Sequence, residues 1–195
     1  MVMAACLVSS PLYMRSAAAQ QSVPADLVFE LNPADTKINF TLGATMHTVH
    51  GTFQPVRGRM EYTSATGAVH GEIVVDAPSG ASGDASRDRR MHAEILESDT
   101  YPVIMFRPDR VEGKVAAAGE STVQVHGIFS LHGAEHDLTV PATVKLDGRN
   151  WTATAHFSVP YVQWGMKNPS VFVLRVNKIV DVEISATGTV TPGNR

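Results

Sequence analysis

The sequence predicts an all-β protein, an antiparallel β-barrel of about eight strands with one or two short helices. From Leu27 onward, apolar and polar residues alternate with a period of two, as in strands with one buried and one solvent-facing side. Glycine-containing breaks separate the alternating segments, as hairpin turns do. About eight such segments can be counted, a number that closes into a barrel wide enough for side chains or one ligand.

The alternating segments follow one another along most of the chain. In the first, Ile38, Phe40 and Leu42 alternate with polar residues, which predicts a strand with its apolar side buried. Further segments with apolar residues of one parity cover residues 123–131, 138–144, 151–157 and 180–184. Glycine-containing turn signals fall at residues 66–67, 131–133 and 147–150. This arrangement is typical of strands joined by short hairpins.

One segment, residues 86–98, departs from the alternation. Met91 and Ile95 lie four residues apart, and few β-branched residues surround them, so the spacing predicts a short amphipathic helix. Ser86 is the expected N-cap, and Asp88 falls in the first turn, where a negative charge suits the helix dipole. We expect this helix to cover part of the barrel.

Composition predicts a single soluble globular domain, residues 27–190. The hydrophobic fraction of 44% and charged fraction of 18% are sufficient for a core and too mixed for a disordered chain. Lys and Arg number 16 against 19 Asp and Glu, and no basic stripe is present. Nucleic acid is therefore not an expected partner, because phosphate neutralisation needs concentrated positive charge. The sequence leaves open whether the protein forms a homodimer.

The N-terminal segment, residues 1–20, is predicted to be a signal peptide. Residues 1–14 are mostly apolar or small, and the small residues 16–19 resemble a signal peptidase site. We therefore expect a periplasmic or secreted protein. The alternatives are a loosely structured N-terminal tail or a lipoprotein signal ending at Cys6. No run reaches the roughly 18 apolar residues that a membrane-spanning helix requires, so no stable span is expected.

The histidines raise the alternative of a metal site. Residues 132–136 fit the H-x-x-E-H pattern of one zinc protease class, but that pattern works only on a helix, and here it crosses a glycine between two strands. A histidine-based metal-binding protein or metalloenzyme using His126, His132 and His47 remains the alternative function. No nucleophile motif or phosphate loop is present, so we predict no catalytic residues and no cofactor.

Four stretches, in order, resemble the YceI-like family, also described as polyisoprenoid-binding proteins. They are residues 46–53, ending in Gly-x-Phe; 87–91, with an Arg-Asp helix start; 101–106, Tyr-Pro-Val-Ile-Met-Phe; and 125–133, a hairpin ending in His-Gly. The resemblance extends across residues 28–187, nearly the whole patterned part of the chain. The sequence departs from the family pattern around residues 159–165. At this place many members of the family carry a basic residue and an acidic residue before Phe-Gly.

The resemblance implies an extended lipocalin-like barrel, an export signal, and an isoprenoid or other amphiphilic lipid in the bore. A hydrophobic lining is sufficient to bind such a ligand, since each methylene of the ligand that is buried contributes about 0.8 kcal/mol to the binding free energy. The alternative is a structural barrel with a solid interior that binds another protein on its surface. Arg87 and Asp88 are expected to hold the helix at the mouth. The candidate ligand-binding residues are Phe40, His47, Phe53, Met91, Phe106, Phe129, Phe157 and Trp164.

Overall fold

The computed structural model describes residues 26–193, and the predicted signal peptide, residues 1–20 with Cys6, lies outside them. The predicted all-β fold is confirmed. The strands in this part of the chain are β1 Asp26–Leu31, β2 Lys37–Gly43, β3 Thr48–Thr63, β4 Ala68–Ala81, β5 Val103–Glu112, β6 Gly119–Leu131, β7 Ala134–Asp147, β8 Asn150–Val159 and β9 Val180–Pro192.

These strands close into an antiparallel barrel with eight positions. The order around the barrel is β3, β2, β9, β8, β7, β6, β5, β4, and β4 pairs with β3 to complete the ring. β1 and β2 share one position, because both pair with β3 on one side and β9 on the other. A 3₁₀ turn at Pro33–Asp35 separates them, with the Asn32 side chain accepting from the Ala34 N–H. The predicted number of about eight strands is therefore confirmed.

The period of two corresponds to an inner and an outer face of the barrel. Along β8, the inner face carries Trp151, Ala153, Ala155, Phe157 and Val159, and the residues between them are exposed. The hairpin between β6 and β7 keeps this alternation in register, because Leu131 pairs directly with Ala134. Its two turn residues, His132 and Gly133, have φ of 52° and 74°, the left-handed conformations that a type I′ turn requires.

A compact apolar cluster fills one end of the barrel, which we call the closed end. Its buried members are Phe29, Tyr62, Val69, Leu146, Trp151, Ala186 and Val190. The Trp151 indole meets the Phe29 ring edge-on at 5.8 Å between ring centroids. Its Nε1–H donates to the backbone oxygens of Glu30 and Thr189, at 3.2 and 3.1 Å. Trp151 thus ties β8 to β1 and β9, while its apolar surface plugs the bore.

The predicted short helix is present at the opposite end. Helix α1, Ala85–Arg90, continues into one π-helical turn, Met91–Leu96. The prediction of Ser86 as the N-cap is wrong, since the cap is Asp84, whose carboxylate accepts from the Arg87 N–H at 2.8 Å. That hydrogen bond is the main reason why the pKa of Asp84 lies below its ordinary value. Within residues 26–193, no helix is long and apolar enough to cross a bilayer.

Candidate ligand-binding cavity

A cavity of about 730 Å³ lies inside the barrel between the closed end and the helix. This volume lies within the roughly 300–1,000 Å³ of known small-molecule sites. Its wall consists mainly of the inward-facing apolar residues of the strands, and Met91, Ile95 and Leu96 line it from the helical side. The interior is therefore hollow, and its lining matches an apolar guest.

The mouth of the cavity lies beside the N-terminal part of α1. Four residues, His47, Asp84, Ser86 and Arg90, line the cavity and are also exposed to solvent, so they mark where it opens. The partly exposed Arg87 lies with them. The charged side chains of the lining thus lie at the mouth, and the residues that line the deeper part of the bore are mainly apolar.

Seven of the eight residues predicted to bind ligand line this cavity. They are Phe40, His47, Phe53, Met91, Phe106, Phe129 and Phe157. The rings of Phe40 and Phe53 lie 5.5 Å apart, and those of Phe129 and Phe157 lie 6.2 Å apart in an edge-to-face arrangement. The aromatic side chains thus form two contacting pairs in the wall of the cavity.

The remaining predicted residue, Trp164, is not among the cavity-lining residues. Its ring stacks on the His136 imidazole at 4.0 Å with an angle of 5° between the planes, and it lies 5.8 Å from the Phe129 ring. The His136 Nε2 is buried without a hydrogen-bond partner among the described residues, and desolvation lowers the pKa of this histidine. Phe129 and His136 are paired across β6 and β7, so Trp164 packs on the same inner face of these strands as Phe129.

Sequence reasoning missed two groups of lining residues. Ala142 and Ala155 face each other across β7 and β8 and line the middle of the bore, and their parity in the alternating segments could have identified them. Leu174 and Val176 come from the connection between β8 and β9, which has no alternating pattern. No local signal in the sequence indicates that this connection folds against the mouth.

The connection between β8 and β9 is held to the barrel by specific hydrogen bonds. The Tyr161 hydroxyl donates to the Asn177 carbonyl oxygen at 2.7 Å, and the Asn177 N–H donates to the Gly43 carbonyl oxygen at 2.8 Å. Burial raises the pKa of Tyr161, so its hydroxyl remains a donor. These contacts place the connection beside the turn between β2 and β3.

Arg87 and Asp88 both contact Ser82, the residue that follows β4. The Arg87 guanidinium donates to the Ser82 hydroxyl oxygen at 2.7 Å and to its carbonyl oxygen at 2.9 Å. The Asp88 carboxylate accepts from the Ser82 N–H at 2.8 Å and from its hydroxyl. The pair thus fastens α1 to the end of β4.

The histidines of the metal hypothesis do not come together. His126 Nδ1 lies 2.8 Å from an Asp109 carboxylate oxygen, and His132 Nε2 lies 2.7 Å from a Glu97 carboxylate oxygen at the β6–β7 turn. His47 lies at the mouth of the cavity. Among residues 26–193, no three His, Cys, Asp or Glu side chains are grouped as metal ligands. The geometry does not favour the metal-binding alternative.

The profile of the YceI-like domain matches residues 29–188. The chain belongs to the YceI-like family. A UPF0312 protein of Pseudomonas putida is 28% identical over 153 residues, which cover 72% of this chain and 73% of that protein. A UPF0312 protein of Pseudomonas savastanoi pv. phaseolicola is 24% identical over 183 residues, covering 87% and 89% of the two chains.

Solved structures share the YceI-like barrel. BcnA of Burkholderia cenocepacia superimposes with a TM-score of 0.65 at 16% identity, covering 80% of this chain and 98% of that one. A polyisoprenoid binding domain from Saccharophagus degradans gives a TM-score of 0.63 at 18% identity, covering 84% and 98%. At these identities the likeness establishes the fold.

Proposed function

We propose that this YceI-like protein is a binding protein, and not an enzyme, which holds a polyisoprenoid or similar long-chain amphiphile in its barrel. The observation that carries the proposal is the hollow apolar bore of about 730 Å³ with its charged side chains gathered at one mouth. The structural likeness to a domain described as polyisoprenoid binding supports the same class of ligand.

The energetics of such a cavity favour a long apolar chain over a compact polar molecule. Each methylene buried in the bore contributes about 0.8 kcal/mol, so ten of them contribute roughly 8 kcal/mol. Association costs an estimated 4–15 kcal/mol, so a short chain gains too little to remain bound. The polar headgroup would stay at the mouth near Arg87 and Arg90, where charged side chains and solvent meet.

We further propose that the protein acts in the periplasm or is secreted. Support comes from residues 1–20, whose apolar run and small residues resemble an export signal. The mass of the protein recovered from its native host reports whether this segment has been removed. A full-length chain found only inside the cytoplasm would contradict the proposal.

The binding function predicts that purified protein carries a co-purified lipid. We expect organic-solvent extraction of the folded protein, followed by mass spectrometry, to yield a long-chain amphiphile at near-stoichiometric amount, because the apolar bore favours an occupied state. Thr154 on the outer face of β8 offers a matched control, since Thr154→Trp should leave the extracted amount unchanged. Ligand-free protein from several sources would instead favour the alternative of a surface-binding barrel.

Asp88→Asn is expected to weaken both the fold and ligand retention. The substitution removes the charge from the hydrogen bonds to Ser82 and from the first turn of α1, which should cost about 1 kcal/mol. Because α1 borders the mouth, the lipid should also dissociate faster. Thermal unfolding and lipid release would be measured together, with the exposed Asp99→Asn as the control. Full stability combined with complete loss of lipid would show that Asp88 contacts the headgroup directly.

A further inference from the structure

Exposed apolar side chains gather beside the mouth of the cavity. Phe172 is 96% exposed, Met46 is 81% exposed and Val173 is 76% exposed, and Val171 is also exposed. We call these four residues the apolar rim. Large apolar residues that remain this accessible, and that cluster, mark an interaction site.

The rim is built on a defined turn. The Val171 N–H donates to the Leu174 carbonyl oxygen at 2.9 Å, and the Leu174 N–H donates to the Val171 carbonyl oxygen at 3.2 Å. These two hydrogen bonds place Phe172 and Val173 at the tip of a tight hairpin. Their exposure therefore follows from a hydrogen-bonded turn that directs two adjacent apolar residues into solvent.

Met46 joins this tip because two connections of the barrel are fastened together. The Thr45 N–H donates to the Arg175 carbonyl oxygen at 2.8 Å, and the Arg175 N–H donates to the Thr45 hydroxyl at 3.1 Å. Ala44 and Val176 form an isolated antiparallel bridge next to them. The turn between β2 and β3 and the hairpin at the tip thus form one platform.

The platform is continuous with the cavity. Ala44, His47, Leu174 and Val176, which flank the rim residues in sequence, all line the cavity wall. A surface that touched the rim would therefore lie directly over the opening.

The charge of the platform is opposite to that of the whole chain. The chain has a net charge of −3, yet residues 37–60 and 160–180, which supply the rim, contain no Asp or Glu. Arg175 directly follows the hairpin and is exposed, and Lys178 is exposed three residues further along the chain. Neither forms an ion pair with the residues the structure describes. The platform therefore combines exposed apolar side chains with unpaired positive charge.

We propose that the apolar rim docks the cavity mouth on an anionic lipid bilayer. Phe172, Val173 and Met46 enter the interfacial layer, and Arg175 and Lys178 face the negative headgroups. Docking itself rests on the rim and its charge. The further consequence, that an amphiphile passes between bilayer and bore without crossing water, rests on the proposed function.

A bilayer fits these observations better than a protein partner. A protein interface typically surrounds its apolar centre with a polar rim over a broad flat patch, whereas here the apolar residues project at a tip. A protruding Phe can insert among lipid chains, which have no fixed shape to match. Basic residues immediately behind the tip are placed where anionic headgroups would lie.

Flotation of the purified protein with lipid vesicles tests the proposal. We expect wild type to float with vesicles of phosphatidylglycerol and phosphatidylethanolamine, and less with phosphatidylcholine. The double variant Phe172→Ser, Val173→Ser should bind about tenfold or more weakly, because it removes the inserted apolar surface. Arg175→Gln with Lys178→Gln should abolish the preference for anionic vesicles and its salt dependence. The control Val56→Ser, at a 51% exposed residue of β3, should bind as wild type.

The outcomes separate docking from the proposed function when extracted lipid is measured on the same samples. Unchanged vesicle binding by the Phe172→Ser, Val173→Ser variant would overturn docking. So would a wild type that ignores vesicles but forms a dimer lost in that variant, which would assign the rim to a second copy. Lipid-loaded protein that does not float contradicts docking alone. Protein that floats but never carries lipid contradicts the proposed function alone.

Discussion

Replacing Ala155 by Trp is expected to abolish ligand binding while the barrel remains folded. Ala155 lies on the inner face of β8, paired with Ala142 of β7 on one side and Ile184 of β9 on the other. The two small side chains keep the middle of the bore open. A Trp side chain at this position would project into the bore and take space that a guest would otherwise occupy.

The expected reduction is about a hundredfold or more in the amount of lipid retained, because the guest would lose several buried methylenes at once. The substitution should change the free energy of unfolding by no more than about 1–3 kcal/mol, the usual cost of overpacking. Extraction with mass spectrometry measures the first quantity, and denaturant unfolding measures the second.

The matched control is Thr154→Trp, since Thr154 precedes Ala155 on the same strand and is exposed on the outer face. It introduces the same side chain without entering the bore. If Ala155→Trp protein carried as much lipid as this control, the ligand would have to bind somewhere other than the cavity.

Trp151→Ala should give the largest loss of stability, about 3–5 kcal/mol of the free energy of unfolding. Trp151 is 4% exposed at the centre of the closed end, where it contacts Phe29. Gly188 packs closely against the indole, since a Cβ at that position would lie only 2.7 Å from Trp151 Nε1. The backbone of β8 is paired with both β7 and β9, which limits its collapse into the space left behind. Much of the cost should therefore come from an unfilled cavity.

A second substitution separates packing from hydrogen bonding at the same position. Trp151→Phe keeps an aromatic ring against Phe29 but removes the donor that the Glu30 and Thr189 carbonyl oxygens accept from. We expect it to cost about 1–3 kcal/mol, the penalty for polar groups left without a partner. Urea unfolding of both variants measures the two values. Losses below about 1 kcal/mol for Trp151→Ala would mean that the closed end is not a structural core.

The part of the candidate site that lies in alternating strands could be predicted from the sequence. Phe40, Phe129 and Phe157 lie in alternating segments, and each lines the cavity, because the inner side of a closed sheet is set by the parity of its residues. Whether that inner side was solid or hollow did not follow from the same pattern. The opposed pair Ala142 and Ala155 leaves space that only the pairing of β7 with β8 reveals.

The helix shows a similar division. Its existence and its apolar face followed from the spacing of Met91 and Ile95, both of which line the cavity. Its start did not, because Ser86 and Asp84 are both good capping residues, and the choice depends on the backbone conformation that leads out of β4. Asp84 has the extended φ of −130° that a cap requires, and its carboxylate reaches the Arg87 N–H.

The amino-acid sequence by itself determined the all-β class, the approximate number of strands, the short helix and the family, because period and motif are local properties of the chain. Tertiary structure alone decided that β1 and β2 share one position, that the interior is hollow, and that Trp164 stacks on His136 beside Phe129. It also decided that Phe172 lies beside the mouth. The reason is physical: these features depend on pairs such as Thr45 and Arg175, 130 residues apart, whose contact no local pattern encodes.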